Sequence, residues 1–238
     1  MNRQSLSKIS TPSIIKIDYF QIYTKPCRNC PSGVEPWIRQ FCKTNPWYVP
    51  IDVEWAGDWF NQYGISQQVD DFDAAIELIV DQHSKDWATY SEEKIRSIHQ
   101  QALRIYGMLH ARWICQPRGM SLMKDKYEKG VYGQCQRYAC HGTHLLPMGT
   151  TFTIRRHSTK LFCPNCYDIY RAPSLIVLDG AHFGPAFPHI FLSEYSQFDK
   201  AGEFKPFEIK AFGFKIHKNP NARFSVHDKN KYEDEIPE

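Results

Sequence analysis

Cys135-Gln-Arg-Tyr-Ala-Cys140 and Cys163-Pro-Asn-Cys166 decide how this chain folds. The two pairs are 22 residues apart, room enough for a β-hairpin between them. Each pair suits a tight turn, and Pro164 stiffens the second. Two thiolate pairs on two knuckles converging on one ion make a tetrahedral zinc ribbon. Cys135, Cys140, Cys163 and Cys166 are therefore the expected ligands of one structural Zn2+ per chain. Four thiolates leave no open coordination position, so the ion is expected to play no Lewis-acid role. Closing such a site supplies on the order of 10 kcal/mol to folding, enough to hold a domain with a small β core.

On the N-terminal side of the cysteines the texture is helical. Asp70 to Val80 places Phe72, Ile76 and Ile79 at helical spacing. The clearest predicted helix runs from about Ser91 to Cys115, with Ile95, Ile98, Ala102, Ile105, Leu109 and Trp113 on one stripe. Thr89 and Glu92 suggest a capping box at its start, and Pro117 ends it and opens a further helix to about Lys129. After Gly130 short β-prone runs follow at Thr151–Arg156, Lys160–Phe162, Tyr167–Tyr170 and Glu208–Ile216, with Gly142, Pro147, Gly149 and Pro164 as turn residues. The expected fold class is α+β: an N-terminal α-helical domain, then a zinc-ribbon β domain and a C-terminal β segment. The expected divisions are a flexible extension over 1–34, a helical domain with an acidic surface over 35–130, the ribbon and closing β segment over 131–217, and a polar acidic tail over 218–238.

The 238 residues are 42% hydrophobic and 14% aromatic, which favours a packed core over global disorder. No apolar run approaches the ~20 residues that span a bilayer. Ile14 to Phe20 is interrupted by Lys16 and Asp18 and is too short for a secretory signal. An intracellular setting is expected, so the eight cysteines read as thiols or metal ligands before disulfides. The net charge of +3 is unevenly spread. Residues 1–50 carry seven Lys/Arg against two acids, whereas 51–95 carry eleven acids against two lysines, a local net charge of −9. That segment favours cationic partners and argues against nucleic acid docking there.

Other chemistry-bearing residues read more plainly. Cys27 and Cys30 form a C-x2-C without a second pair. Cys42, among Trp37, Ile38 and Phe41, and Cys115, at a helix end, read as small buried hydrophobes. His110 reads as a core or capping group. His182 and His189, among Gly184, Pro185 and Pro188, read as part of a structured loop. No Cys–His–acid order suggests a nucleophile. The alternative function is a nucleic-acid-binding zinc ribbon, since Arg137, Arg155, Arg156, His157 and Lys160 give that region positive charge. A basic ribbon equally offsets the negative charge of a zinc–tetrathiolate centre.

Six segments then occur in order around the cysteine frame: Leu109-His-Ala-Arg-Trp113, Arg118-Gly-Met120, Lys126-Tyr-Glu-Lys-Gly130, Leu146-Pro-Met-Gly149, Asp179-Gly-Ala-His-Phe-Gly-Pro-Ala-Phe-Pro-His189 and Phe212-Gly-Phe-Lys-Ile-His217. Together they resemble the regulatory beta subunit of casein kinase II over roughly residues 35–217. The resemblance implies a subunit without catalysis of its own that dimerises through its ribbon. It also implies docking of separate catalytic alpha subunits, in an α2β2 assembly of cytoplasm and nucleus. Consistently, no kinase Gly-rich loop, His-Arg-Asp or Asp-Phe-Gly sequence is present. By position, Phe212 and Phe214 match the family's two aromatic anchors for the kinase. In a strand, Ile216 would share their face. Tyr138, Ile169 and Gln136 match dimer-contact positions, with Gln136 replacing the usual proline. The family's acidic loop, which attracts polyamines and basic substrates, corresponds to about 81–93. It keeps Asp81, Asp86, Glu92 and Glu93 but admits His83 and Lys85, while Asp70, Asp71, Asp73 and Glu77 lie nearby. Basic proteins are the expected further partners. The family's N-terminal Ser-Ser-Glu-Glu cluster is missing.

Overall fold

Ile98, Ala102, Ile105, Leu109 and Trp113 line the buried face of the longest helix in the computed structural model, which describes residues 35–200 and 208–215. Helices α1 (Trp37–Thr44), α2 (Val53–Gly57), α3 (Phe72–Ile79), α4 (Glu92–Trp113) and α5 (Pro117–Glu128) precede the cysteines. The stripe that predicted α4 packs on α3 through Ala75, Leu78 and Ile79. The cap of α4 differs from expectation. Ser91, not Thr89, accepts the Lys94 amide, while the Thr89 hydroxyl donates to the Asp86 carbonyl. Ser91 directly precedes the first helical residue, where a hydroxyl can reach the free amides of the first turn. Pro117 opens α5, as expected.

Between α1 and α2 the run 47–51, buried at every residue but Pro50, crosses α4 without regular structure of its own. Buried backbone groups need partners, and α4 provides them from one face. Tyr106 Oη donates to the Val49 carbonyl and accepts the Ile51 amide, His110 Nε2 accepts the Val49 amide, and Trp113 Nε1 donates to the Pro50 carbonyl. Spacing of four and three residues brings these three polar groups onto one side of the helix.

After α5, strands β1 (Leu146–Met148), β2 (Lys160–Phe162) and β3 (Ile169–Arg171) form an antiparallel sheet in that order. Leu146 lies opposite Phe162, which lies opposite Ile169. Two expectations fail here. Pro147, read as a turn residue, sits in β1; this is an edge strand, where a missing amide is tolerated. Thr151–Arg156 is not a strand. Thr151 Oγ1 accepts the Thr153 amide, Arg155 takes a left-handed φ of 60°, and its amide donates to the Asp179 carboxylate. The His182–His189 region is also more regular than a loop, with a short 3-10 turn at Gly180–His182 and α6 at Phe187–Glu194, where Pro188 occupies the first turn.

The chain is thus mixed helix and sheet. One apolar core continues across residue 130, as Trp47 meets both Tyr132 and Phe183, and Tyr127 meets Phe191. The contact pattern sets a second unit apart from Lys205 onward. Its described part is a hairpin of β4 (Lys210–Ala211) and β5 (Phe214–Lys215). A single strand over 208–216 was expected. Instead Phe212 and Gly213 reverse the chain with φ of 51° and 87°, as a two-residue primed turn requires.

Candidate functional site

The four ribbon cysteines meet. Their sulfur atoms all lie within 4.8 Å of one another, with Cys135–Cys166 and Cys140–Cys163 each at 3.9 Å. A disulfide would need about 2.05 Å, so this is a cluster of thiols that could hold one metal ion. Each pair is presented by a similar local device. The residue after the second cysteine turns left-handed, with φ of 49° at His141 and 57° at Tyr167. The Tyr167 amide closes the second knuckle on the Cys163 carbonyl at 2.9 Å, and the Thr143 amide closes the first on the Cys140 carbonyl at 3.0 Å. Arg137 of the first knuckle pairs with Asp168 of the second.

Burial pushes the Cys163 thiol up to about 11 and raises Cys140 as well. Those two thiols therefore resist ionising unless a cation joins them, whereas at Cys166 burial is outweighed by the Tyr170 hydroxyl and the Asp168 amide, which lower the group. Donors that favour a thiolate are already in place. The amides of Cys166 and Asn165 point at the Cys163 sulfur, and that of Asp168 at Cys166. The Tyr170 hydroxyl lies 3.3 Å from Cys166 Sγ and 3.4 Å from Cys135 Sγ. Tyr170 is the residue that sequence reasoning missed. Its alternation with exposed Ile169 in β3 was the available signal, because it turns the ring away from Ile169's face.

The remaining site residues fall into three groups. Gln136, Tyr138 and Ile169 are all exposed on the ribbon, Tyr138 at 92% and Ile169 at 50%. On the hairpin, Phe212 is fully exposed at the tip and Phe214 is 79% exposed; Ile216 lies outside the described residues. Among the acids, three serve the fold. Asp71 pairs with Lys94 and accepts Gln101 Nε2, Glu77 accepts the Ser84 amide and Trp87 Nε1, and Asp81 accepts the Trp37 amide. Asp70, Asp73, Asp86, Glu92 and Glu93 are exposed.

Cys42 and Cys115 are partly buried thiols raised by desolvation, Cys42 to about 11, as inert packing groups are. The pair Cys27 and Cys30 lies outside the described residues, as do 1–34 and 218–238. Among the described residues, no helix is long and apolar enough to cross a membrane.

Known proteins resemble the chain over the same span. The casein kinase II regulatory subunit family matches residues 36–215. A sequence of Arabidopsis thaliana named for casein kinase II subunit beta-4 is 36% identical over 185 residues, covering 76% of this chain and 65% of the relative. Casein kinase II subunit beta of Dictyostelium discoideum is 35% identical, covering 79% and 70%. Subunit beta' of Drosophila melanogaster is also 35% identical, covering 78% and 86%. The chain thus spans about two thirds of the length of the first of these relatives. These matches leave the nucleic-acid reading without support. The family match over 36–215, which takes in all four clustered cysteines, means that the chain belongs to the casein kinase II regulatory subunit family.

Proposed function

We propose that this chain is the non-catalytic regulatory subunit of a casein kinase II holoenzyme, dimeric through its ribbon and docked to catalytic subunits through the 208–215 hairpin. The observation that carries the reading is the family match across both the ribbon and the hairpin. Zinc is the proposed metal. A tetrahedron of Zn–S bonds of about 2.3 Å sets its sulfurs roughly 3.8 Å apart, close to the 3.9 Å of the two cysteine contacts. When bound, the ion supplies a rigid crosslink between the knuckles. The cysteines hold it, while Tyr170 and the backbone amides stabilise the thiolate charge.

Exposure supports both contacts. Tyr138 and Ile169 leave apolar area on the ribbon that a two-fold partner would cover, and closed two-fold pairing is the commonest homo-oligomer. Phe212 holds a left-handed backbone at a cost of roughly 1 kcal/mol or more. Its ring is fully exposed, which leaves it available to a partner's groove. The exposed acids around Asp70–Asp73 and Asp86–Glu93 suit basic protein substrates or regulators. Cytoplasm and nucleus are the proposed compartments.

Burying each phenyl ring is worth about 1.5–3 kcal/mol, so the pair accounts for roughly two to four decades of affinity. Phe212→Ala with Phe214→Ala should abolish co-purification with a casein kinase II catalytic subunit while the dimer persists in analytical ultracentrifugation. Undiminished kinase binding by the double variant would overturn the docking assignment.

A further inference from the structure

Between α2 and α3 lies a cleft of about 650 Å³ whose walls are of two kinds. Val53, Ile76 and Val80 line it with apolar surface, and Glu54, Glu77 and Asp81 with carboxylates. Among the described residues no lysine or arginine lines the cleft or forms an ion pair with these three acids. Glu77 spends one oxygen on the Ser84 amide and Trp87 Nε1, and among the described residues Asp81 accepts only the Trp37 amide. The wall is thus ordered by neutral donors, and its negative charge is left for a cation.

The Asp81–Trp37 contact also locates where the N-terminal segment leaves. Trp37 opens α1 against the cleft rim, and in sequence the segment 1–34 ends three residues before it. Residues 1–34 carry Arg3, Lys8, Lys16, Lys25 and Arg28 against the single acid Asp18. They also carry the apolar run Ile14-Ile-Lys-Ile-Asp-Tyr-Phe-Gln-Ile-Tyr23. A segment that is basic and apolar is thus tethered to a cleft that is acidic and apolar. Lys25 is twelve residues from Trp37, a reach of up to about 40 Å. Tethering raises the local concentration of the segment to the millimolar range, which lets modest contacts suffice.

We propose that residues 1–34 seat in cis in the cleft between α2 and α3, Lys25 and Arg28 meeting Glu54, Glu77 and Asp81, so that the chain shields part of its own acidic face. A cationic partner that needs this cleft must displace the segment.

Zero-length carbodiimide coupling of the intact protein, which joins amines only to carboxylates in contact, tests the seating. An equal mixture of 14N- and 15N-labelled chains separates cis from trans. The expected product is an unmixed-isotope link from Lys25 to Glu54, Glu77 or Asp81. Failure of Lys25 to link to any of the three would overturn the proposal, and so would mixed-isotope links, which place the occupant in a second copy. In the full-length chain, Lys25→Glu with Arg28→Glu should also speed amide hydrogen exchange across 77–84 by on the order of fivefold. An unchanged rate there would count against the seating even where coupling is seen.

Discussion

Single residues in this molecule settle matters that composition leaves open. His110 is fully buried, and its two ring nitrogens have opposite duties. Nε2 accepts the Val49 amide, so Nδ1 carries the proton and donates to the His182 carbonyl at 2.8 Å. No acceptor is left for a second proton, and burial lowers the group from 6.5 to about 3. Its helical setting pointed to a core or capping group, and it is a core group. Its partners come from chain segments 61 and 72 residues away and were not legible. The unfolded chain protonates this histidine below about pH 6.5, whereas the folded chain does not until about pH 3. The unfolded state therefore binds more protons in that window, and stability falls as pH drops through it. His99, lowered to about 4 mainly by burial, adds to the same trend. Urea midpoints between pH 7 and 5 should fall accordingly. His110→Gln should flatten the slope by about one proton, near 1.4 kcal/mol per pH unit. An identical slope in the variant would mean that His110 is not the group responsible.

At the scale of elements, legibility followed how local the deciding contacts were. The α4 stripe, Pro117 at a helix start and the strand Lys160–Phe162 were readable because propensity and periodicity are local. Thr151–Arg156 has strand composition but finds no partner strand, since the Asp179 carboxylate claims its Arg155 amide. The hairpin at Phe212-Gly213 escaped notice because a phenylalanine is an unusual first residue for a primed turn, which favours asparagine or glycine. The knuckles were legible from cysteine spacing alone, yet their second layer was not. Tyr170 is the one side-chain hydroxyl reaching two of the sulfurs among the described residues. Outer-layer donors of this kind are worth about tenfold to a hundredfold in metal affinity. Tyr170→Phe, which removes only the hydroxyl, should raise the zinc dissociation constant by at least about tenfold in competition with a chromophoric chelator. Equal affinity would show that the backbone amides suffice.

Across the whole molecule, the sheet and the helices would lean on the proposed ion to different degrees. Each ribbon strand is three residues long, at the short end of the range for a strand, so the sheet buries little on its own. The helical part has its own deep packing, from Phe41, Tyr48 and Tyr106 through Leu78 and Ile79 to Leu109. Yet Gly107 abuts the His182 ring so closely that a methyl there would come within 2.2 Å of it, and β1 rests on α6. The helices are thus seated directly against the segment that follows the ribbon. Stripping the metal removes on the order of 10 kcal/mol from the knuckles, more than three short strands can replace. Chelation at neutral pH should therefore release one metal ion per chain and convert dimer to monomer, while most of the helical circular dichroism signal is retained. Sedimentation velocity and far-ultraviolet spectra on the same sample would check this. A chelated chain that stays dimeric would show that Tyr138 and Ile169 meet their partner without the metal's help, and the crosslink would then have no part in assembly.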